Sequence, residues 1–145
     1  MTRMPILLAL FLASSPVWAA DAAVNSERLL QTERSWDGAT YPAYPAGQPE
    51  LTLLRITVPA HAALDWHRHP VINVAYLLAG TLEVENRTTG TTKTLRAGEA
   101  LPEMVGTVHR GRNPGDEPAV ILVFYAGVHG SALAEPAERP AAPQP

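Results

Sequence analysis

Apolar and polar residues along most of this chain follow the pattern of β-strands. Leu51–Val58 is rich in apolar and β-branched residues, and Val71–Leu78 is almost continuously apolar. Thr81–Glu85 alternates apolar and polar residues, which is typical of a strand with one buried face. Further short strands are predicted at Thr92–Leu95, before Pro102, at Thr107–Arg112 and at Val120–Tyr125. Roughly seven or eight short strands separated by glycine- and proline-rich turns predict an all-β sandwich or barrel.

The flanking segments have different patterns. Asp21–Gly38 has the only plausible helical period and predicts at most one or two turns of helix. Tyr41–Pro49 contains three prolines, which exclude a regular helix and favour an extended arm. Ser131–Pro145 consists mostly of Ala, Pro, Glu and Gln and predicts a disordered tail. We therefore predict an N-terminal arm over residues 20–50, a barrel domain over 51–130 and a tail over 131–145.

The first nineteen residues have the composition of a secretory signal peptide. Arg3 precedes an apolar run over residues 5–13, and small residues lead to a predicted cleavage site after Ala19 or Ala20. The apolar run is too short to cross a bilayer, which needs about 20 residues. We therefore expect an exported protein, periplasmic or secreted, that has no membrane contact after the signal peptide (residues 1–19) is removed.

Charge and cysteine content narrow the possible partners and ligands. Cleavage after Ala19 leaves about 126 residues, and loss of Arg3 changes the formal charge from −3 to about −4. No basic patch remains, so we expect no nucleic-acid partner. The chain contains no cysteine, so a metal site would need imidazole and oxygen ligands and stability would depend on packing.

Three of the five histidines form an arrangement suited to a metal. His67 and His69 are two residues apart, so in a strand both side chains point to the same face while Arg68 points away. His109 lies forty residues further on, shortly after Gly106. Neutral imidazole is a ligand for Zn, Cu, Fe and Ni. Spacing alone does not decide between a metal site and histidines that are solvated or packed.

Both histidine segments also match the spacing of a known pair of motifs. The matching positions are His67, His69, Asn73 and Gly80 in the first motif, and Gly98, Gly106, His109 and Asn113 in the second. In their order and spacing they resemble the cupin superfamily, in particular small exported single-domain proteins of the cupin type-2 kind. The resemblance extends from Leu51 to about Gly127. It implies a double-stranded β-helix, or jelly-roll barrel, and one divalent metal ion (Fe, Mn, Ni or Zn) bound by His67, His69 and His109.

Three positions depart from the cupin pattern. His61 replaces a glycine, Met104 replaces a proline, and Asn73 replaces the glutamate that is normally the fourth metal ligand. Asn73 can bind a metal only through a neutral carbonyl oxygen, so it is predicted as a weaker ligand or as a donor beside the site. Glu103, six residues before His109, is the candidate for the missing carboxylate, as a ligand or as a catalytic general base. The alternative is a solvated glutamate in a turn.

The function of such a site is open to three interpretations. The first is an enzyme acting on a small molecule, since cupins include dioxygenases, isomerases and epimerases. The second is a protein that binds a small ligand or a metal without catalysis. The third is a metal that only stabilises a cysteine-free domain, although such sites usually have four protein ligands. A homodimer is also expected by resemblance, formed through the Tyr41–Pro49 arm and the apolar Val71–Leu78 strand.

Overall fold

A computed structural model describes residues 23–137, which form β-strands joined by turns, with no helix in that range. Consequently no helix among these residues could span a membrane. The strands are β1 (Pro49–Val58), β2 (His67–Arg68), β3 (Ile72–Ala79), β4 (Thr81–Asn86), β5 (Thr92–Arg96), β6 (Ala100–Pro102), β7 (His109–Arg112), β8 (Ala119–Val128) and β9 (Glu135–Pro136). The all-β fold predicted from the sequence is confirmed.

The strands form two sheets whose inner faces share one core. The four-stranded sheet has the order β1-β8-β3-β6, and the five-stranded sheet has the order β5-β4-β7-β2-β9. Every paired strand is antiparallel to its neighbour. Most neighbours are distant in sequence, so the chain passes repeatedly between the sheets. This arrangement is the jelly-roll barrel that the motif spacing implied.

Alternate residues of each strand point into the core. Buried and partly exposed residues alternate along β4 and along most of β8, as expected for strands with one covered face. The buried apolar core consists of Val58, Val71, Ala75, Leu77, Leu82, Val84, Leu95, Leu101, Ala119, Ile121, Val123 and Tyr125. Both sheets contribute to this list, so burial of branched aliphatic side chains between them is the main stabilising term.

The seven strands predicted from the sequence are all present, with ends that differ by a few residues. The largest difference is at β8, which continues to Val128 because it pairs along its length with β1. The sequence predicted at most one or two helical turns over Asp21–Gly38, and residues 23–38 contain no helix. There the Ser35 hydroxyl donates to the Asp37 carboxylate over 2.5 Å, and Ser35 N–H donates to Ala39 O. Such local hydrogen bonds compete with helix formation.

Two strands, β2 and β9, were not predicted as paired elements, because two residues are too few to show a period. Their pairing places residues 131–137, which sequence analysis assigned to the tail, against the five-stranded sheet. The Arg68 guanidinium lies 2.8 Å from the Glu135 carboxylate at this contact. The predicted signal peptide at residues 1–19 and the rest of the tail, residues 138–145, lie outside the described range.

The turn after β1 contains His61, which replaces a glycine of the cupin pattern. His61 has a φ of 60°, and it is the one non-glycine residue with positive φ in the described range. Ala62 N–H donates to Pro59 O across this turn at 3.1 Å. A Cβ atom disfavours the left-handed conformation by roughly 1–2 kcal/mol. Cupins usually have glycine at this position because the turn needs a positive φ. His61 adopts that positive φ at the cost of backbone strain.

Replacing His61 by glycine is expected to stabilise the protein by about 1 kcal/mol, because the strain is relieved and only partly offset by a more flexible unfolded chain. The imidazole contributes little, since its contact with Asp116 is exposed. Urea unfolding would measure the change. His61→Ala is the matched control: it removes the imidazole but keeps Cβ. Equal stability of the two variants would contradict a backbone origin.

Candidate metal centre

His67, His69 and His109 form one compact cluster. Their ring centroids are 4.8 Å apart for His67–His69, 4.7 Å for His67–His109 and 4.9 Å for His69–His109. One nitrogen from each ring lies within 4.8 Å of the corresponding nitrogens of the other two. The prediction that these three histidines converge is confirmed, whereas His61 and His129 are on the surface, with side chains 67% and 88% exposed.

Strand pairing brings the three histidines together. His67 in β2 lies directly opposite His109 in β7. His69 follows β2 and forms a bridge with Val105, and Gly106 N–H donates to His69 O over 2.8 Å. The His-x-His segment is therefore held against the segment that leads to the third histidine, with forty residues of chain between them.

Each imidazole donates its Nδ1 hydrogen to a backbone carbonyl. The acceptors are Asp65 O for His67 at 2.7 Å, Leu133 O for His69 at 2.7 Å and Thr107 O for His109 at 2.8 Å. A carbonyl oxygen can only accept, so Nδ1 carries the hydrogen and the lone pair is on Nε2. Hydrogen bonds of this kind fix the tautomer and ring orientation of histidines that bind metals. The residues present therefore fit a metal ion.

Burial keeps two of these imidazoles neutral. His69 and His109 are 4% and 2% exposed. Burial, helped by the neighbouring imidazoles, lowers the pKa of each to about 4. His109 Nε2 has no hydrogen-bond partner among the described residues. A buried acceptor without a partner costs roughly 1–3 kcal/mol, which a bound cation would offset.

Glu103 belongs to this site and not to a solvated turn. It is 6% exposed, and its Oε2 lies 3.5 Å from His109 Nε2. Burial raises the pKa of Glu103 to about 8. At neutral pH without a metal, the carboxyl group is therefore mostly protonated and His109 is neutral, so their contact is not an ion pair. A nearby cation would favour the carboxylate.

Asn73 lies on β3, opposite Tyr125 in the strand register. It is 2% exposed, its Nδ2 donates to Val71 O over 3.2 Å, and its Oδ1 has no partner among the described residues. An amide oxygen of this kind is available to a cation or to water. Its role as a metal ligand stays a prediction.

Tyr125 contacts the site, although the sequence indicated only the end of a strand at this position. Its ring lies edge-on to His69 with centroids 5.5 Å apart, and it is 4% exposed. Burial, with a contribution from the charge of Glu103, raises the pKa of Tyr125 to about 12, so its hydroxyl stays protonated. No sequence motif marks this position; only the folded structure brings Tyr125 against His69.

The space beside the histidines is small and mostly apolar. A cavity of about 40 Å³ lies there, enough for roughly one or two water molecules. Its walls are Ile56, Leu64, His67, His69, Leu82, Val84, Glu103, His109, Gly111, Ile121, Val123 and Tyr125. Polar groups are thus confined to the histidines, Glu103 and the Tyr125 hydroxyl, and the aliphatic walls restrict water.

The described structure is a double-stranded β-helix barrel with a cluster of three histidines inside it. Residues 54–125 match the sequence model of the Cupin domain family. The chain belongs to the cupin superfamily, as its motifs implied. No curated protein matches its sequence.

Several solved structures share the fold. A conserved protein with a double-stranded β-helix domain from Klebsiella pneumoniae is 24% identical, with a TM-score of 0.51, covering 63% of this chain and 89% of that one. The DMSP lyase DddQ from Ruegeria pomeroyi is 26% identical, with a TM-score of 0.50, covering 57% of this chain and 41% of that one. The polyketide cyclase RemF from Streptomyces resistomycificus is 17% identical, with a TM-score of 0.54, covering 66% and 65%.

Proposed function

We propose that this protein binds one divalent metal ion (Fe, Mn, Ni or Zn) through His67, His69 and His109 and acts on a small molecule beside it. The observation that carries the proposal is the common tautomer, with all three Nδ1 hydrogens bound to carbonyls and the Nε2 atoms left as ligands. When bound, such a metal polarises an oxygen of the substrate as a Lewis acid or supports redox chemistry. Dioxygenase- or isomerase-like reactions are the classes we infer.

The chain supplies a candidate for proton transfer in Glu103. Burial raises the pKa of Glu103 to about 8 without a metal, and a bound cation would favour the carboxylate, which is the form that accepts a proton as a general base. The neutral Tyr125 hydroxyl is a second potential donor to a substrate oxygen. The aliphatic walls limit water and thereby strengthen polar interactions within the site.

A protein that binds a metal or a small ligand without catalysis is the second candidate. The volume of the cavity favours it, because about 40 Å³ does not hold a sugar or an aromatic substrate in this conformation. An enzyme with this site would act on a very small molecule or would widen the barrel when a substrate binds.

The first experiment is to measure metal content in protein purified without an affinity tag from its native compartment, which we propose to be outside the cytoplasm. About one equivalent of metal in the wild type and none in the His67→Ala/His109→Ala double variant would support the site. His129→Ala, at an exposed histidine outside the cluster, is the control and should retain the metal. Wild-type protein without metal, even after each ion is added back, would contradict the proposal.

Glu103→Gln separates a general acid or base from a fourth ligand. Glutamine keeps the shape of the protonated carboxyl group but cannot transfer the proton. We expect metal affinity to change less than a few-fold and any turnover to fall by roughly 100- to 10,000-fold. Competition with a chelator would measure affinity. A loss of affinity much larger than this would show that Glu103 is a ligand.

We also propose a homodimer, formed through the outer face of the four-stranded sheet. That face exposes large apolar side chains: Leu51 is 67%, Leu53 is 61%, Leu78 is 42% and Phe124 is 38% exposed. Leu53, Phe124 and Val74 lie side by side in the strand register. The outer face of the five-stranded sheet is instead covered by ion pairs: Arg110–Glu85, Arg112–Glu83 and Arg68–Glu135. Contiguous exposed apolar surface commonly marks an interface.

Leu53→Lys is expected to convert the dimer to a monomer, because it would bury a charge at the centre of the interface. Sedimentation velocity would measure the mass in solution. Thr92→Lys, at an exposed position on the other sheet, is the matched control and should leave the dimer intact. A monomeric wild type would contradict this proposal without affecting the metal site.

A further inference from the structure

The segment Leu133–Ala137, here called the C-terminal clamp, contacts the His-x-His segment at successive points. Pro136 and Glu135 pair with His67 and Arg68 in the β2–β9 register. At either end of this pairing, Ala137 N–H donates to Trp66 O over 2.9 Å, and Leu133 O accepts from His69 Nδ1 over 2.7 Å. The clamp thus contacts the backbone or the side chain of each of the four consecutive residues 66–69.

Without the clamp, β2 would be the edge strand of its sheet. On its other side β2 has a single register pair with β7, His67 opposite His109. The clamp therefore adds a second neighbour to a strand of only two residues, one of which is a proposed ligand. Edge strands with few hydrogen bonds open most readily.

The hydrogen bond to His69 differs in kind from those of the other two histidines. His67 and His109 donate to carbonyls two residues earlier in the chain, at Asp65 and Thr107, so the local chain segment sets each of those bonds. His69 donates to Leu133, which is 64 residues away. Only this imidazole depends on a distant segment for its tautomer and ring orientation.

The clamp is itself anchored to the barrel. The Leu133 side chain is partly buried against the core. A turn brings the chain back from β8, with Ser131 N–H donating to Val128 O over 2.9 Å and Val128 N–H donating to the Ser131 hydroxyl over 3.1 Å. Leu133 O is therefore placed by packing and not by the histidine that it contacts.

We propose that Leu133–Ala137 is a positioning element of the metal site, which fixes His69 in the tautomer that presents Nε2 to the metal. The consequence for metal binding rests on the proposed metal site. The effect on the tautomer of His69 exists without a metal. The clamp does not touch a substrate. It acts through His69 and through the alignment of β2.

Two truncated chains test the proposal, one ending at Ala132 and one ending at Ala137. Both lack residues 138–145, and only the shorter lacks the clamp. We expect the shorter chain to bind Zn²⁺ roughly 10- to 100-fold more weakly, as for loss of other hydrogen-bond partners of metal-binding histidines. In metal-free protein, long-range ¹H–¹⁵N spectra of the imidazoles should show His69 protonated at Nδ1 in the longer chain and a mixture of tautomers in the shorter one.

A charge swap in the full-length chain covers the case in which the shorter chain does not fold. Glu135→Arg places two cations together at the Arg68 contact and should weaken Zn²⁺ binding several-fold. Adding Arg68→Glu restores the opposite charges and should restore affinity and the His69 spectrum. Rescue would show that the effect comes from the attraction between residues 68 and 135, and the His69 spectrum of the folded protein separates positioning from a general gain in stability.

The outcomes separate this inference from the proposed function. Equal Zn²⁺ affinity and equal His69 spectra in both folded truncations would overturn the positioning role. If the shorter chain does not fold, failure of the charge swap to change either readout would overturn it. A clamp-dependent His69 tautomer in a protein that binds no metal would support the clamp and contradict the metal function.

Discussion

Replacing His109 by glutamine is expected to lower the affinity for Zn²⁺ roughly 100- to 1000-fold. A structural zinc site with four ligands is worth about 10–16 kcal/mol, or about 3 kcal/mol per ligand. His109 lies opposite His67 and is 2% exposed, so bulk water has little access to the position of its Nε2. The loss should therefore be close to that of a complete ligand.

Competition with a chelator of known affinity would measure this loss, and thermal unfolding would show its consequence. With free Zn²⁺ at 1000 times the dissociation constant, wild-type protein should gain about 4 kcal/mol of stability, and the variant should gain much less. His129→Gln, at an exposed histidine, is the control and should match the wild type. If His109→Gln and His129→Gln bind Zn²⁺ equally, His109 is not a ligand.

Gly80→Ala is expected to destabilise the protein by about 3 kcal/mol, combining left-handed backbone strain with overpacking. Gly80 connects β3 and β4 with a φ of 79°. A Cβ there would lie 2.9 Å from both Ala119 Cα and Pro118 O, which are backbone atoms that cannot rotate away. The midpoint of thermal unfolding should fall by roughly 10–20 °C.

Gly98→Ala is the matched control for this effect. Gly98 has a φ of 87°, but a Cβ there would have no neighbour within 4 Å. Its cost should be limited to backbone strain, about 1 kcal/mol. Calorimetry or urea unfolding of both variants would measure the difference. Equal losses would show that the contact with β8 contributes nothing and that strain alone accounts for the glycine at position 80.

The sequence determined the elements whose signal is local. Strands such as Thr81–Asn86 show a period of two because one face is buried and the other is not. The His67–His69 spacing places two imidazoles on one face of any extended segment, and the matched motif spacing identified His109 as the third. The strand period and the His67–His69 pair could be predicted because neighbouring residues alone define them, whereas His109 was identified through the resemblance to the cupin motifs. The helical period before Gly38 produced no helix within the described residues, where local side-chain hydrogen bonds oppose helix formation.

Tertiary structure decided the features that depend on distant segments. β9 has two residues and therefore no period, so only its pairing with β2 reveals it. The burial of Glu103, and the pKa that follows from it, depend on strands that surround it in space. The bond from His69 to Leu133 O involves a backbone carbonyl, which every residue has. Since no side-chain identity encodes that acceptor, the final orientation of the His69 imidazole could only be found in the folded chain.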